Sequence, residues 1–129
     1  MSTSSIWETP VINISLMKAK HAMWTINLSS YINSNGAEAP LTGLTDSHRC
    51  GLGQWLDSSE AQAYRHFGKF QDLVRAHNHL HQEGQAIVAL KQNGEQREAQ
   101  VRVLSLSEAN ERISPLLDWL EAQLHTPTT

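Results

Sequence analysis

Cysteine is nearly missing from this 129-residue chain: there is one, Cys50, so no disulfide can form within it. Charge is also scarce, at 18 % Asp, Glu, Lys and Arg, and the net charge is −3. Lys and Arg are scattered, with no clustered phosphate-neutralising face, which argues against a nucleic-acid surface. No apolar run approaches the roughly 20 residues a membrane span needs. The first residues, Met1 to Ser5, are polar and lack the basic-then-apolar order of a signal peptide. A cytoplasmic protein with no membrane partner is therefore expected. Hydrophobic residues reach 40 %, which is globular and not disordered composition. The length suits one domain over 1–129, with a core from about 11 to 125.

Glycine and proline are few, and they mark the breaks. Asn35-Gly36, Pro40 and Gly43 place a loop between about Asn33 and His48, and Asn93-Gly94 places a shorter one. Met1 to Pro10 and His125 to Thr129 read as frayed ends. What lies between has helical spacing. Ile14, Met17, His21, Trp24, Leu28 and Tyr31 follow one another at steps of three and four. Phe70, Val74, His77, His81, Gly84 and Val88 do the same, as do Ala99, Val103, Leu106, Asn110, Ile113, Leu117, Leu120 and Leu124. Cys50 to Leu56 is short, one or two turns, with Asp46 or Ser47 as its cap. Three long helices and one or two short ones predict an all-α fold. The expected form is an antiparallel four-helix bundle with an additional short helix carrying the cysteine. Pro115 inside the last pattern predicts a kink near Ala109 to Glu111 or a restart at Ser114.

Histidine is the residue in excess, with seven. His21, His77 and His81 stand at seam positions where leucine is the ordinary choice. His77 and His81 are four apart, which stacks them on one helix face. Three imidazoles turned into an apolar interior are costly without partners. One metal ion satisfies all three, and with a Cys50 thiolate the set makes a closed tetrahedral site suited to zinc. The plainer reading is that each histidine has a local hydrogen bond and that Cys50 is a small buried hydrophobe. His79 lies about 200° around the helix from His77 and points away. His48 is a rival ligand by sequence proximity to Cys50, and His66 and His125 have no convergent partner. Trp24 and Trp55 read as core, and Gly51 and Gly53 as positions of close backbone approach.

The segments Lys20-His21-Ala22-Met23-Trp24, Cys50-Gly51-Leu52-Gly53-Gln54-Trp55-Leu56 and His77-Asn78-His79-Leu80-His81 resemble the chemoreceptor zinc-binding (CZB) family. That family has a His followed three residues on by Trp, a Cys-x-Leu-Gly-x-Trp-Leu block and a His-x-x-x-His pair. The last helix around Ser114 to Glu121 is similar too, so the resemblance covers about Ile14 to Leu124. Gln54 and Thr25 stand where the family often has lysine. The resemblance implies Zn²⁺ held by His21, Cys50, His77 and His81. It also implies a cytoplasmic sensory domain that answers zinc availability or oxidation of the zinc-bound cysteine.

Domains of this family are fused to chemoreceptors or diguanylate cyclases, so a homodimer and a chemotaxis or diguanylate cyclase partner are expected. An enzyme is not expected, because four protein ligands leave zinc no open position. Two other readings compete. One is a metal-independent helical interaction or dimerisation module. The other is a hemerythrin-type di-iron bundle, which needs inward carboxylates that the first helix does not offer.

Overall fold

The computed structural model describes residues 12–34 and 50–125. The loop from Asn35, the cap at Asp46 or Ser47, the rival ligand His48 and the frayed ends before residue 12 and after residue 125 lie outside the described residues. Four α-helices follow in order: α1 (Ile14–Asn33), α2 (Gly51–Leu56), α3 (Gly68–Gln92) and α4 (Gln96–Leu124). A 3₁₀ turn, Ser59–Tyr64, links α2 to α3. There is no strand among the described residues. The all-α bundle expected from the spacing is what forms, with three long helices and the short α2; a fourth long helix is not among the described residues.

Asn13 starts α1: its side-chain oxygen accepts the Leu16 backbone N–H at 2.9 Å, satisfying one of the helix's orphan donors. The seam read from the sequence is the buried face, since Ile14, Met17, His21, Trp24, Leu28 and Tyr31 are all buried. The last turn of α1 has no basic residue of its own. Lys91 of α3 supplies one, donating to the carbonyls of Tyr31 and Ser34 and lying 4.1 Å from the Tyr31 ring centroid. Gln96 adds a bond to the Ile32 carbonyl at 2.8 Å.

Side-chain pairs give the helix directions. Lys18 pairs with Asp118, and at the other end Asn33 accepts from Gln100, so α1 and α4 run antiparallel. α3 and α4 are joined by the turn at Asn93-Gly94-Glu95 and are antiparallel as well. Gly94 has φ +84°, the left-handed conformation glycine adopts without strain. α1 and α3 are therefore parallel, with His21 beside His77 and Tyr31 beside Lys91. That parallel pairing brings the histidine of one seam level with the two of the other.

Two expectations change. On α3 the fully buried positions include Leu73, Leu80 and Ile87, whereas Val74 and Val88 are half-buried. α3 packs on α1 and on α4 at once, so its apolar stripe is wider than a single 3-4 seam. On α4 the helix does not restart at Ser114; it runs unbroken from Gln96 to Leu124 with Pro115 inside it. A helix-interior proline costs about 3 kcal/mol. Ile113, Leu117 and Leu120 are buried on both sides of it, at about 1.5–3 kcal/mol each, and outweigh that cost. Pro115 itself is exposed, as is Glu111, whose carbonyl receives no helix N–H from position 115.

Candidate metal centre

α1, the start of α2 and the middle of α3 meet at four side chains: His21, Cys50, His77 and His81. Each offers one donor atom, and these four atoms lie within 4.8 Å of one another. The three imidazoles are buried and Cys50 is half-buried. His77 and His81 are on one face of α3, as their i,i+4 spacing requires, with ring centroids 4.6 Å apart. His21 packs edge-on against both, at 5.2 and 5.8 Å. Cys50 is the N-cap residue of α2, with extended backbone (φ −72°, ψ 145°). Its side chain makes no capping bond, so the sulfur is left for the imidazoles.

The nitrogen atoms are arranged for a cation. Nδ1 of His21 lies 2.8 Å from the Met17 carbonyl oxygen. A carbonyl can only accept, so Nδ1–H donates to it, and in the neutral ring Nε2 carries the lone pair. That Nε2 is 3.4 Å from Cys50 Sγ. Nε2 of His77 and Nε2 of His81 face each other at 3.1 Å. A tetrahedral zinc centre, with bonds of roughly 2.0–2.1 Å to nitrogen and about 2.3 Å to sulfur, spaces its donors about 3.3–3.6 Å apart. The observed 3.1 Å between nitrogens and 3.4 Å between nitrogen and sulfur are each about 0.2 Å shorter than that geometry asks, so a small outward shift admits the ion. The residues fit the ion.

Electrostatics agree. Without a metal, and with a proton on the ring nitrogens that face it, burial pushes the Cys50 thiol up but the hydrogen bonds from His21, His77 and His81 outweigh it and bring the pKa down to about 3; a cation in place of those protons acts in the same direction. The sulfur is therefore a thiolate, the form that binds metal. Burial alone would lower His21, yet the Cys50 hydrogen bond and charge, with the Met17 carbonyl, raise it. His77 is lowered, by burial first and then by the neighbouring imidazoles, which keeps it a neutral donor.

All four residues singled out in the sequence are thus brought together. His79, His66 and His125 are exposed and stand apart from the cluster. Three supporting features were not read from the sequence. The Met17 carbonyl orients His21, one turn back on its own helix. Trp24 lies tilted against His81, ring centroids 5.0 Å apart. Gly84 is the close-approach glycine: a Cβ there would stand 2.5 Å from Trp24 Cη2. Gly51 is not, since its Cβ would meet only the end of the Met17 side chain, Cε at 3.6 Å and Sδ at 3.8 Å, both ordinary contacts. The signal for Gly84 was its place in the α3 seam, one turn past His81.

A helical bundle that gathers three buried histidines and one half-buried cysteine at one point defines a class: small all-α domains with a candidate His₃Cys metal site. The chain belongs to the chemoreceptor zinc-binding domain family, whose family model matches residues 21–88, more than half of the sequence. The match begins at His21 and takes in Cys50, His77 and His81. It ends in α3, so α4 lies outside it. This is a zinc-binding domain of sensory type, with its candidate ligands clustered. Comparisons with curated proteins and with solved structures found no significant match. No described helix is long and apolar enough to cross a membrane.

Proposed function

We propose that His21, Cys50, His77 and His81 hold one zinc ion, and that this cytoplasmic domain, a single unit over 1–129, reports zinc supply or oxidant to a signalling partner. The observation that carries the reading is the convergence of four donor atoms within 4.8 Å from three separate elements. Bound zinc supplies a fixed positive centre that keeps the sulfur a thiolate and ties the three elements together. The chain does the rest. Nε2 of His21 is presented by the Met17 carbonyl, the α3 pair is presented by helix geometry, and Trp24 walls the His81 side with apolar surface. Four protein ligands leave no position for substrate, so the reading is regulatory and not catalytic.

Cys50 is the oxidisable member and the least buried of the four. With hydrogen peroxide its sulfur attacks one peroxide oxygen, the O–O bond breaks, and hydroxide leaves, giving the sulfenic acid. The sulfenic sulfur is a poorer ligand, so α2 is released from α1 and α3. Cys50 is the only cysteine, so the sulfenic acid is returned to the thiol by an outside thiol reductant or is captured as a disulfide between two chains. A chemotaxis receptor or diguanylate cyclase partner fits the family's role.

The test is metal content of protein purified without chelator. One zinc per chain is expected, and a His21→Ala, His77→Ala double variant should lose most of it; full retention would overturn the ligand assignment. Peroxide should then release zinc from the wild type. Retained zinc beside an oxidised Cys50, or an unmodified Cys50 under excess peroxide, would leave zinc supply as the signal and remove the redox arm.

A further inference from the structure

A groove of about 420 Å³ lies between the end of α2 and the first turns of α3, apart from the metal cluster. That volume falls in the range of small-molecule pockets, about 300–1,000 Å³. Its floor is apolar: Leu56 and Phe70 are buried and Val74 is half-buried. Its rim is charged and polar, with Arg65 and Arg75 beside Asp57 and Gln71.

Arg65 is the informative residue. It is half-buried, and its Nη2 donates to the Leu56 carbonyl at 3.1 Å and to the Ser58 carbonyl at 2.9 Å. These bonds cap the end of α2 and fix the guanidinium over the groove. They use two of its five N–H groups. Among the described residues no acceptor takes the N–H groups on Nε and Nη1, and no carboxylate pairs with the charge. Arg75 pairs with Asp72 on the surface, and its side chain is 70 % exposed. Exposed pairs of this kind are weak, so Arg75 can turn to a ligand at little cost. Phe70 and Gln71 stand near the start of α3, whose first turn has no acid and presents the positive end of the helix.

A held guanidinium beside an apolar floor selects one chemistry. Its planar fork matches a carboxylate with two parallel hydrogen bonds. A neutral apolar molecule leaves that charge unanswered. A bare anion such as phosphate covers none of the floor and gains nothing from Leu56, Phe70 and Val74. A second groove, of about 350 Å³ beside Met17 and Trp55, has Glu60 for its charge and no cation, so it offers an anion nothing.

We propose that the groove between α2 and α3 binds a small carboxylic acid with an apolar body, and that the bound acid acts on the metal centre through α2. The acid's oxygens meet Arg65 and Arg75, and its hydrocarbon part lies on Leu56, Phe70 and Val74. α2 is six residues long, with Cys50 as its N-cap and Leu56 as its last residue. A ligand that holds Leu56 against α3 therefore steadies the same short helix that carries the sulfur. This second half of the proposal rests on the zinc reading; the groove itself does not.

The experiment is titration of the isotope-labelled full chain with 3-phenylpropionate, followed by amide NMR, with zinc content measured on the same samples. Saturable shifts should centre on Leu56, Asp57, Arg65 and Phe70 to Arg75, with a Kd of about 0.1–1 mM. The matching alcohol, 3-phenylpropanol, and inorganic phosphate should each bind at least about tenfold more weakly. Arg65→Lys keeps the charge but loses the fork, and should weaken binding about tenfold. If that variant loosens α2, Val74→Glu leaves Arg65 in place, sets a like charge on the floor and should abolish binding. No saturation by about 10 mM, shifts centred on Met17 and Trp55, an alcohol or phosphate that binds as well as the acid, or a Val74→Glu chain that binds like the wild type would each overturn the site. At saturating probe, chelator competition should show zinc held about fivefold more tightly; an unchanged zinc affinity would overturn the action through α2. A zinc-free chain that binds the probe removes the metal reading and leaves the groove. A zinc-loaded chain that ignores the probe does the reverse.

Discussion

Gly84 shows how one missing methyl group shapes the centre. A Cβ at this position would lie 2.5 and 2.8 Å from two carbons of the buried Trp24 ring. Trp24 in turn rests on His81. Gly84→Ala should therefore push the indole toward the imidazole and destabilise the fold by about 1–3 kcal/mol, despite alanine's better helix propensity. Gly51→Ala is the contrast: its Cβ meets ordinary contact, so the change should be neutral or slightly stabilising. Urea unfolding midpoints of the two variants decide this. Equal midpoints would mean that Trp24 yields freely and that the close approach does not matter. The same logic runs through His21, whose ring is set by a backbone carbonyl four residues earlier and so depends on α1 being intact up to Met17.

Helix ends and interruptions carry the next scale. α1 ends with no cation of its own, and Lys91 brings one from α3 to the Tyr31 and Ser34 carbonyls, with a further bond to Ser34 Oγ at 3.1 Å. Hydrogen bonds from a charged donor are worth about 1.5–3 kcal/mol when the donor is withdrawn from water, and Lys91 is half-buried. Lys91→Met keeps the stem over Tyr31 but loses the bonds, so stability should fall by about 1–2 kcal/mol, with faster amide exchange in the last turn of α1. Unchanged exchange there would assign the cap to Gln96 alone. Pro115 gives the opposite prediction. It sits exposed within an unbroken α4, so Pro115→Ala should restore a helix bond to Glu111 and stabilise by about 1–3 kcal/mol. A lower melting temperature for that variant would show that α4 is held by its proline and not burdened by it.

Over the whole molecule, the four candidate ligands join elements that otherwise touch unequally. α3 and α4 pack along most of their lengths, whereas α2 has little of its own beyond Leu52, Trp55 and Leu56. Metal that binds only the folded chain stabilises it, by about 2.7 kcal/mol at a hundredfold excess over its dissociation constant. Chelation should lower the melting temperature, and hydrogen exchange should rise first in Gly51–Leu56 and last in the α3–α4 pair. Uniform exchange throughout would mean that the ion is not what holds α2.

Much of this was legible in the order of residues. The 3-4 spacing of apolar side chains fixes helices because their period is 3.6, and the i,i+4 histidine pair is a local fact of one helix. The resemblance of the His, Cys and His-x-x-x-His segments to one family named the ligand set before any contact was known. Spacing could not show that α1 and α3 run parallel, which is what puts His21 level with His77 and His81; strand-free chains can pair helices either way at equal local cost. Nor could it show that Leu73, Leu80 and Ile87 are the deepest positions of α3, or that α4 passes through Pro115 unbroken. Those outcomes depend on which surfaces are buried together, and burial is a property of the assembled helices and of no one segment. The sequence by itself determined the helices and the donor atoms; the tertiary packing decided that the donors meet.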